Sequence, residues 1–242
     1  MNLIEVTDLH VRYGAYEAVK GVSFSLGKGE ILGIVGESGS GKSTIAKTLM
    51  GLEKKSAGSI TFNLQPSNFN LRSKIAMIFQ DAVGSLNPRM TVRQALAEVL
   101  KIKQSNNLKS NNQTPERLLD LVGLSSAILD QYPREMSGGQ CQRVSIARAL
   151  ACEPEVLIAD EPVSALDVSV QARVLNLLRD LRQQLGLSIL LIAHDLAVVK
   201  NVCDRICVME KGLFVDCGNA ADVFDHPQSD YTKRLLSAVP RI

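Results

Sequence analysis

One stretch of this sequence decides the fold: it reads Gly36-Glu37-Ser38-Gly39-Ser40-Gly41-Lys42-Ser43-Thr44. A short apolar run, Glu30–Val35, precedes it, and Ser43–Met50 has a helical pattern, so a strand leads through a glycine-rich turn into a helix. Glycines let the backbone wrap around phosphate oxygens, and the helix start adds positive potential. Lys42 is expected to reach the β- and γ-phosphates of a nucleotide, and the Ser43 hydroxyl to hold Mg²⁺. The flanking elements favour a phosphate loop over a chance glycine-rich turn.

A second motif places two acids directly after an apolar run: Val156-Leu157-Ile158-Ala159-Asp160-Glu161. Asp160, at the end of a buried strand, is expected to hold the Mg²⁺ shell. Glu161 is then placed to polarise an attacking water as a general base. On its own the motif also fits a strand that ends in solvated acids, but a phosphate loop upstream favours the catalytic interpretation.

Strand and helix patterns alternate along the chain. The predicted strands are Leu3–Val11, Val19–Leu26, Glu30–Val35, Ser59–Phe62, Ile75–Phe79, Val156–Ala159, Ser188–Ala193 and the hairpin of Arg205–Glu210 with Leu213–Gly218. The pattern is helical from about Met90 to Leu150, over Val168–Leu185, and over about Asp230–Ala238. The polar, Asn-rich stretch Lys103–Gln113 is predicted to be a loop. This alternation predicts an α/β fold with a mostly parallel sheet and ligands at the carboxyl ends of its strands.

A third motif, Met136-Ser137-Gly138-Gly139-Gln140, stands at the start of a predicted helix. Ser137 is a good N-cap, and two glycines there present bare backbone N–H groups, which suit an anion. Because the phosphate loop already serves one nucleotide, a second such helix start indicates a contact with a second nucleotide, bound by another copy or chain. An ordinary capped helix after a glycine turn is the alternative.

Composition limits the classes of function. The chain has 242 residues, of which 45% are hydrophobic, enough for one domain with a sizeable core. No apolar run reaches the roughly 18 residues of a membrane helix, and the first residues lack a secretory signal pattern. The formal net charge is +2, which gives no footprint for nucleic acid. We therefore expect a cytoplasmic protein whose cysteines, Cys141, Cys152, Cys203, Cys207 and Cys217, are small buried hydrophobic residues.

From about Leu3 to its end, the sequence resembles the nucleotide-binding subunits of ABC transporters. Met136–Gln140 is similar to the family's signature motif, with Met136 where the family normally has Leu. The resemblance implies further site residues: Tyr13 stacks on adenine, Gln80 is the Q-loop glutamine that touches Mg²⁺, Ser164–Asp167 is the D-loop, and His194 is the switch histidine that contacts the γ-phosphate.

The resemblance also implies an architecture and a mechanism. The expected fold is a P-loop NTPase core of the ABC type, with a mixed sheet, an antiparallel β subdomain and an inserted α-helical subdomain. Residues 1–242 would form one nucleotide-binding domain, with the helical signature subdomain at about 90–150 and a short helical tail at about 219–242. Two subunits would face head to tail with ATP and Mg²⁺ between them, closing on ATP and opening after hydrolysis.

Particular stretches resemble the oligopeptide, dipeptide and nickel importers: Phe79–Val92, which extends the Q-loop, Asp160–Ala172, and the tail Asp230–Pro240. That branch implies a second, different ATPase chain, two membrane permeases and an extracytoplasmic binding protein, with this chain at the cytoplasmic face of the membrane. Many members extend beyond this tail. The tail also fits an amphipathic closing helix without a partner role. Because Phe79–Val92 follows Gln80, we expect a charge within it, such as Leu86→Glu, to uncouple hydrolysis from transport.

Other functions stay open at this point. A soluble ABC ATPase of a non-transport assembly, such as the carbon–phosphorus lyase complex, resembles the same branch, although Ser85–Arg89 favours a transporter. ABC ATPases of DNA repair or translation are less consistent, because they usually carry large insertions or two cassettes. Peptides, nickel and a metal chelate all remain possible cargoes, since the binding protein and permeases select the cargo.

Overall fold

A computed structural model describes residues 1–64, 74–105 and 113–237 of the chain. Its strands are β1 (Asn2–Tyr13), β2 (Tyr16–Gly27), β3 (Ile31–Val35), β4 (Ala57–Phe62), β5 (Ile75–Ile78), β6 (Val156–Asp160), β7 (Ser188–Ala193), β8 (Arg205–Glu210) and β9 (Leu213–Asn219). Its helices are α1 (Lys42–Met50), α2 (Val92–Ser105), α3 (Pro115–Leu121), α4 (Gly138–Leu150), α5 (Val168–Leu185), α6 (Leu196–Lys200), α7 (Ala220–Asp225) and α8 (Asp230–Ser237). These bounds agree closely with the predicted strands and long helices.

The strands form two sheets in the described part of the chain. The larger has the order β5-β6-β7-β3-β8-β9 and is parallel except for the β8–β9 hairpin. The smaller is antiparallel, in the order β2-β1-β4. Strands β3, β6 and β7 are buried along their whole length, because helices or the second sheet cover both faces of the larger sheet. The predicted mixed sheet and antiparallel sheet are confirmed.

Alternate residues of the central strands point to opposite faces and build two hydrophobic cores. Leu157 and Ala159 of β6 join a core with helices α2 to α5. Val156 and Ile158 of the same strand face the other way, towards the antiparallel sheet and α1. The larger sheet is therefore the middle layer, and helix α1 is fixed in the core that the two sheets share.

Helices α2, α3 and α4 lie between β5 and β6 in the chain and contact one another. Helix α3 begins where the Thr114 side chain accepts a hydrogen bond from the Arg117 N–H, with Pro115 at its first position. Short 3₁₀ helices at Ser126–Ile128 and Pro133–Glu135 lead from α3 into α4. This helical segment carries the third motif at the start of α4.

The structure differs from the sequence prediction in its short elements. Helices α6 and α7 have only 5 and 6 residues, so their apolar periodicity was too short to recognise. Helix α2 continues through Ser105, and the rest of the predicted Lys103–Gln113 loop falls mostly outside the described residues. Ala238, the last residue of the predicted final helix, also lies outside them.

The expectation that all the cysteines are buried is wrong for two of them. Cys141, Cys203 and Cys207 are buried, whereas Cys152 and Cys217 are exposed. Cys152 lies in the turn after α4, and Cys217 lies on β9, the edge strand of the larger sheet. In the described residues, no helix is both long enough and apolar enough to cross a membrane.

Candidate active site

The phosphate loop lies between β3 and α1, at the carboxyl edge of the parallel strands. A side chain at Gly36 would place its Cβ 2.1 Å from the Met209 carbonyl oxygen, so the loop packs directly against the end of β8. Gly41 precedes α1 with φ of 112° and has no capping side chain. The first N–H groups of α1 are therefore left to bind an anion.

Lys42 is buried and serves the loop itself in this structure. Its ammonium donates hydrogen bonds to the Gly36 and Glu37 carbonyl oxygens, at 2.7 Å each. Burial lowers the pKa of Lys42, and the carboxylates of Glu161, Asp160 and Glu37 oppose that shift by favouring the charged form.

Parallel strands bring two side-chain pairs to the same edge. The Ser43 hydroxyl donates a hydrogen bond of 2.8 Å to Asp160 at the end of β6. The Gln80 amide, which follows β5, donates one of 2.7 Å to the Glu161 carboxylate. Burial raises the pKa of Asp160, and the Ser43 hydroxyl opposes the shift. Hydroxyl, carboxylate and amide oxygens are the donors that Mg²⁺ prefers, so the residues present fit that ion.

The backbone at Glu161 has an unusual conformation. Its φ is +46°, in the left-handed region that non-glycine residues rarely adopt. The Glu161 N–H donates to the Ile192 carbonyl of β7, and the Glu161 carbonyl accepts from both the backbone and the hydroxyl of Ser164. Such strain costs on the order of 1–2 kcal/mol and persists because the neighbours fix it. This backbone conformation turns Glu161 away from the direction of strand β6.

The remaining residues predicted for the nucleotide flank this edge. His194 follows β7 and is exposed, and β7 pairs with β6 so that Asp160 stands opposite Ile192. Tyr13 ends β1 and is 44% exposed. Burial raises the pKa of Tyr13, while a hydrogen bond with Thr44 opposes the shift. The Tyr13 ring thus lies beside the start of α1 and leaves a face open for a base.

The signature residues form a separate site at the start of α4. Ser137 accepts a hydrogen bond from the Gln140 N–H, and the Gln140 side chain accepts one from the Ser137 N–H, which is a capping box. A cavity of about 260 Å³ is lined there by Gly138, Gly139 and, from the D-loop, Asp167. Among the hydrogen bonds of the described residues, none joins 137–140 to 36–44. None of the described residues that line this cavity belongs to the phosphate loop.

The segment after Gln80 is anchored on α4. The Arg148 guanidinium donates to the Ser85 carbonyl at 2.9 Å. Leu86 is only 4% exposed and belongs to the core with the helices, whereas Val83 is 51% exposed. The expectation that Leu86→Glu would uncouple hydrolysis from transport assumed that Leu86 lies on the surface. That placement is wrong, and a glutamate there would bury a charge in the core. A charge that tests a docking surface should instead be introduced at Val83.

Two supports of the phosphate loop were not predicted. The Gly212 N–H, in the turn between β8 and β9, donates to the Ser40 carbonyl at 2.9 Å. The Tyr231 hydroxyl, on α8, accepts a hydrogen bond of 3.0 Å from the Glu37 N–H. These partners lie far away in the chain, so no local pattern points to them. The resemblance of the tail Asp230–Pro240 to the importer branch was the available signal for Tyr231.

Comparisons with known proteins find related sequences and structures across most of the chain. A family profile described as "ABC transporter" matches residues 19–164. The oligopeptide transport ATP-binding protein OppF of Lactococcus lactis subsp. lactis (strain IL1403) is 48% identical over 232 residues, covering 93% of this chain and 73% of that protein. The oligopeptide transport ATP-binding protein AppF of Bacillus subtilis (strain 168) is 46% identical over 237 residues, covering 95% and 72%. CbiO1 of Clostridium perfringens, part of the ABC transporter complex cbiONQ, superposes with a TM-score of 0.80 at 30% identity, covering 93% and 91%.

Proposed function

The chain belongs to the ABC transporter family, and from that premise we propose that it is the ATP-hydrolysing subunit of a membrane importer for peptides. The observation that carries the proposal is the joint placement of Ser43 with Asp160 and of Gln80 with Glu161 at one strand edge. Relatives named for oligopeptide transport favour peptides over nickel or a metal chelate, and favour a transporter over a soluble lyase-type assembly.

ATP binding would use the phosphate loop, where the Gly36 and Glu37 carbonyls hold the Lys42 ammonium that would contact the phosphate oxygens. Ser43, Asp160 and Gln80 would hold Mg²⁺, which supplies charge stabilisation to the transferring phosphoryl group. The Asp160 side chain contributes negative charge to the Mg²⁺ site only when it is ionised. Since burial raises the pKa of Asp160, the bonded Ser43 hydroxyl helps to keep the carboxylate charged.

Hydrolysis needs a base that takes a proton from the attacking water, and Glu161 is positioned for it. In this structure one oxygen of its carboxylate accepts from the Gln80 amide, so Gln80 helps to set the position of the base. Gln80 also begins the segment on which a membrane partner would dock. One side chain can thus link a partner's movement to the position of the base.

The second half of each site would come from another ATPase chain. The N–H groups of Gly138 and Gly139, at the start of α4, suit the γ-phosphate of a nucleotide held by the facing subunit. Gln140 and Asp167 would line that interface, since Gln140 caps α4 and Asp167 shares the cavity. The exposed His194 would contact the γ-phosphate of the chain's own nucleotide, and Tyr13 would stack on its adenine.

The proposed assembly has this chain at the cytoplasmic face of the membrane. Relatives that are transport subunits support permease partners, and the branch resemblance supports a second, different ATPase chain and an extracytoplasmic binding protein. Within the chain we propose one nucleotide-binding domain over 1–242. Helices α2 to α4 would form its signature subdomain at about 90–150, with the tail at about 219–242.

The catalytic assignment is tested by Glu161→Gln, with ATP hydrolysis and ATP binding measured on the same preparation. Without the base, turnover should fall by roughly 10²- to 10⁴-fold, while ATP binding persists and a closed dimer accumulates on size exclusion. Hydrolysis at the wild-type rate would remove Glu161 from this role.

The transport assignment is tested by capturing the chain from mild-detergent extracts and identifying the proteins that bind it. Two polytopic membrane proteins and a second ATPase would support the importer. Soluble enzyme subunits without a membrane protein would contradict it and favour the lyase-type assembly.

A further inference from the structure

Helix α8 reaches the phosphate loop from the far end of the chain. The Glu37 N–H donates to the Tyr231 hydroxyl at 3.0 Å, across 194 residues of sequence. The same peptide unit ends in the Gly36 carbonyl, which accepts from the Lys42 ammonium at 2.7 Å. The Gly36–Glu37 peptide is therefore held on one side by Lys42 and on the other by Tyr231.

The two contacts lie on opposite sides of this peptide. The Lys42 ammonium has three N–H groups and is also the cation that we propose to contact the phosphates. The Tyr231 hydroxyl accepts the Glu37 N–H on the other side of the same peptide. This bond therefore fixes the orientation of the Gly36–Glu37 peptide from the side that Lys42 does not contact.

Tyr231 is itself firmly positioned. It is 5% exposed and belongs to the core with the helices. The start of α8 is fixed by Asp216 of β9, whose carboxylate accepts from the Gln228 N–H at 3.2 Å, from the Ser229 N–H at 2.9 Å and from the Thr232 hydroxyl. Burial raises the pKa of Tyr231, so the hydroxyl stays neutral across the working pH range.

The β8–β9 hairpin secures a second point of the loop. The Gly212 N–H donates to the Ser40 carbonyl, and the Gly212 carbonyl accepts from the Lys20 N–H, both at 2.9 Å. Asp216, which fixes α8, is on the second strand of that hairpin. The hairpin and α8 therefore form one connected support for the loop.

We propose that Tyr231 is a positioning residue for the phosphate loop, and that its hydroxyl holds the Gly36–Glu37 peptide in the conformation that binds nucleotide. This inference rests on the proposed function, because it assigns α8 a part in ATP binding. It gives the tail a role inside the subunit, in addition to closing the fold.

The test is Tyr231→Phe, which removes the hydroxyl and keeps the ring in the core. The loss of one neutral hydrogen bond should weaken ATP binding by roughly 3- to 10-fold. KM for ATP should rise by the same factor, with kcat within about twofold, because Glu161 and the Ser43–Asp160 pair are untouched. Binding is measured by calorimetry with Mg²⁺ and a non-hydrolysable ATP analogue, and KM and kcat by phosphate release.

The matched control is Thr232→Val, which removes a hydroxyl from the same helix and keeps that of Tyr231. It should lower the stability of the chain while leaving the Kd for the analogue within about twofold of wild type. Equal loss of affinity in both variants would reduce Tyr231 to general support of α8, and unchanged affinity in Tyr231→Phe would refute the proposal. If the wild type failed to bind the analogue, the proposed function itself would fail, which is a separate result.

Discussion

Single glycines of the phosphate loop are required for different reasons. Gly39 and Gly41 both have positive φ, at 79° and 112°, where an L-residue is strained. At Gly39 an added Cβ would meet no heavy atom within 4 Å, whereas at Gly41 it would lie 2.4 Å from the Ala18 carbonyl oxygen. Gly39 is therefore required only for its backbone conformation. Gly41 is required for its backbone conformation and also because a side chain would not fit there.

This difference predicts unequal costs for alanine at the two positions. Gly39→Ala should lower the free energy of unfolding by about 1–2 kcal/mol, the cost of left-handed backbone. Gly41→Ala should lower the free energy of unfolding by about 1–3 kcal/mol more, because the added methyl group would clash with the Ala18 carbonyl. Urea unfolding of both variants measures the difference, and equal costs would contradict the close approach at Gly41.

A second prediction for single residues concerns two thiols that face each other across the β8–β9 hairpin, those of Cys207 and Cys217. A hydrogen bond from Cys207 lowers the pKa of the exposed Cys217, and the pKa of the buried Cys207 is raised by that same contact and by burial. The thiolate is the reactive form, so iodoacetamide near neutral pH should modify Cys217 well before Cys207.

The cause of this reactivity can be separated from simple exposure. Cys207→Ala removes the donor and should slow modification of Cys217, whereas Cys207→Ser keeps a donor and should preserve the rate. Mass spectrometry of timed samples measures both rates. Equal rates in the alanine and serine variants would show that exposure alone sets the reactivity of Cys217.

Among the elements, α4 has two roles, because it begins at the signature and also anchors the segment after Gln80. Its Arg148 donates to the Ser85 carbonyl, and the Ser145 hydroxyl lies 3.4 Å from that of Ser85. Leu86 is buried beside this anchor. A partner that moves the segment would therefore also act on α4, which starts at the Met136–Gln140 motif.

Arg148→Met should loosen the segment without unfolding α4. The substitution keeps an aliphatic chain but removes the donor to Ser85, so amide hydrogen exchange should rise over residues 81–90 and stay low in α4. Arg143→Met is the control, since Arg143 on the same helix donates to the Gly123 carbonyl at 3.3 Å instead. Equal exchange over 81–90 in the two variants would show that Arg148 does not hold the segment.

For the whole molecule, nucleotide binding and folding are linked, because the phosphate loop joins both hydrophobic layers. Ile45 and Leu49 of α1 lie in the core between the sheets, while Val35 at the start of the loop belongs to the core with the helices. A ligand that binds only this folded arrangement stabilises the whole chain.

Glu161→Gln, which should bind ATP without consuming it, allows that stabilisation to be measured. With Mg²⁺ and ATP at 100 times Kd, Tm should rise by roughly 5–10 °C for a chain of this size. Lys42→Ala should show little or no rise, because it removes the charge that contacts the phosphates. Differential scanning calorimetry provides both values, and an equal rise in the two variants would contradict the role of Lys42.

The sequence by itself determined the long strands and helices, their α/β order and the positions of the site motifs. These follow from interactions between near neighbours: apolar periodicity for strands and helices, glycines for the phosphate loop, and a Ser–Gln capping box at 137–140. Gln80, Asp160 and Glu161 were each expected at the end of a strand, but the pairing of β5 with β6, which brings them together, is seen only in the structure.

Only the tertiary structure decided that Tyr231 holds Glu37, that Leu86 is buried and that Cys217 is exposed. Contacts between segments far apart in the chain depend on how all layers pack at once, through the sum of many small burial and hydrogen-bond energies. A local pattern in a single sequence is therefore not enough to predict these contacts.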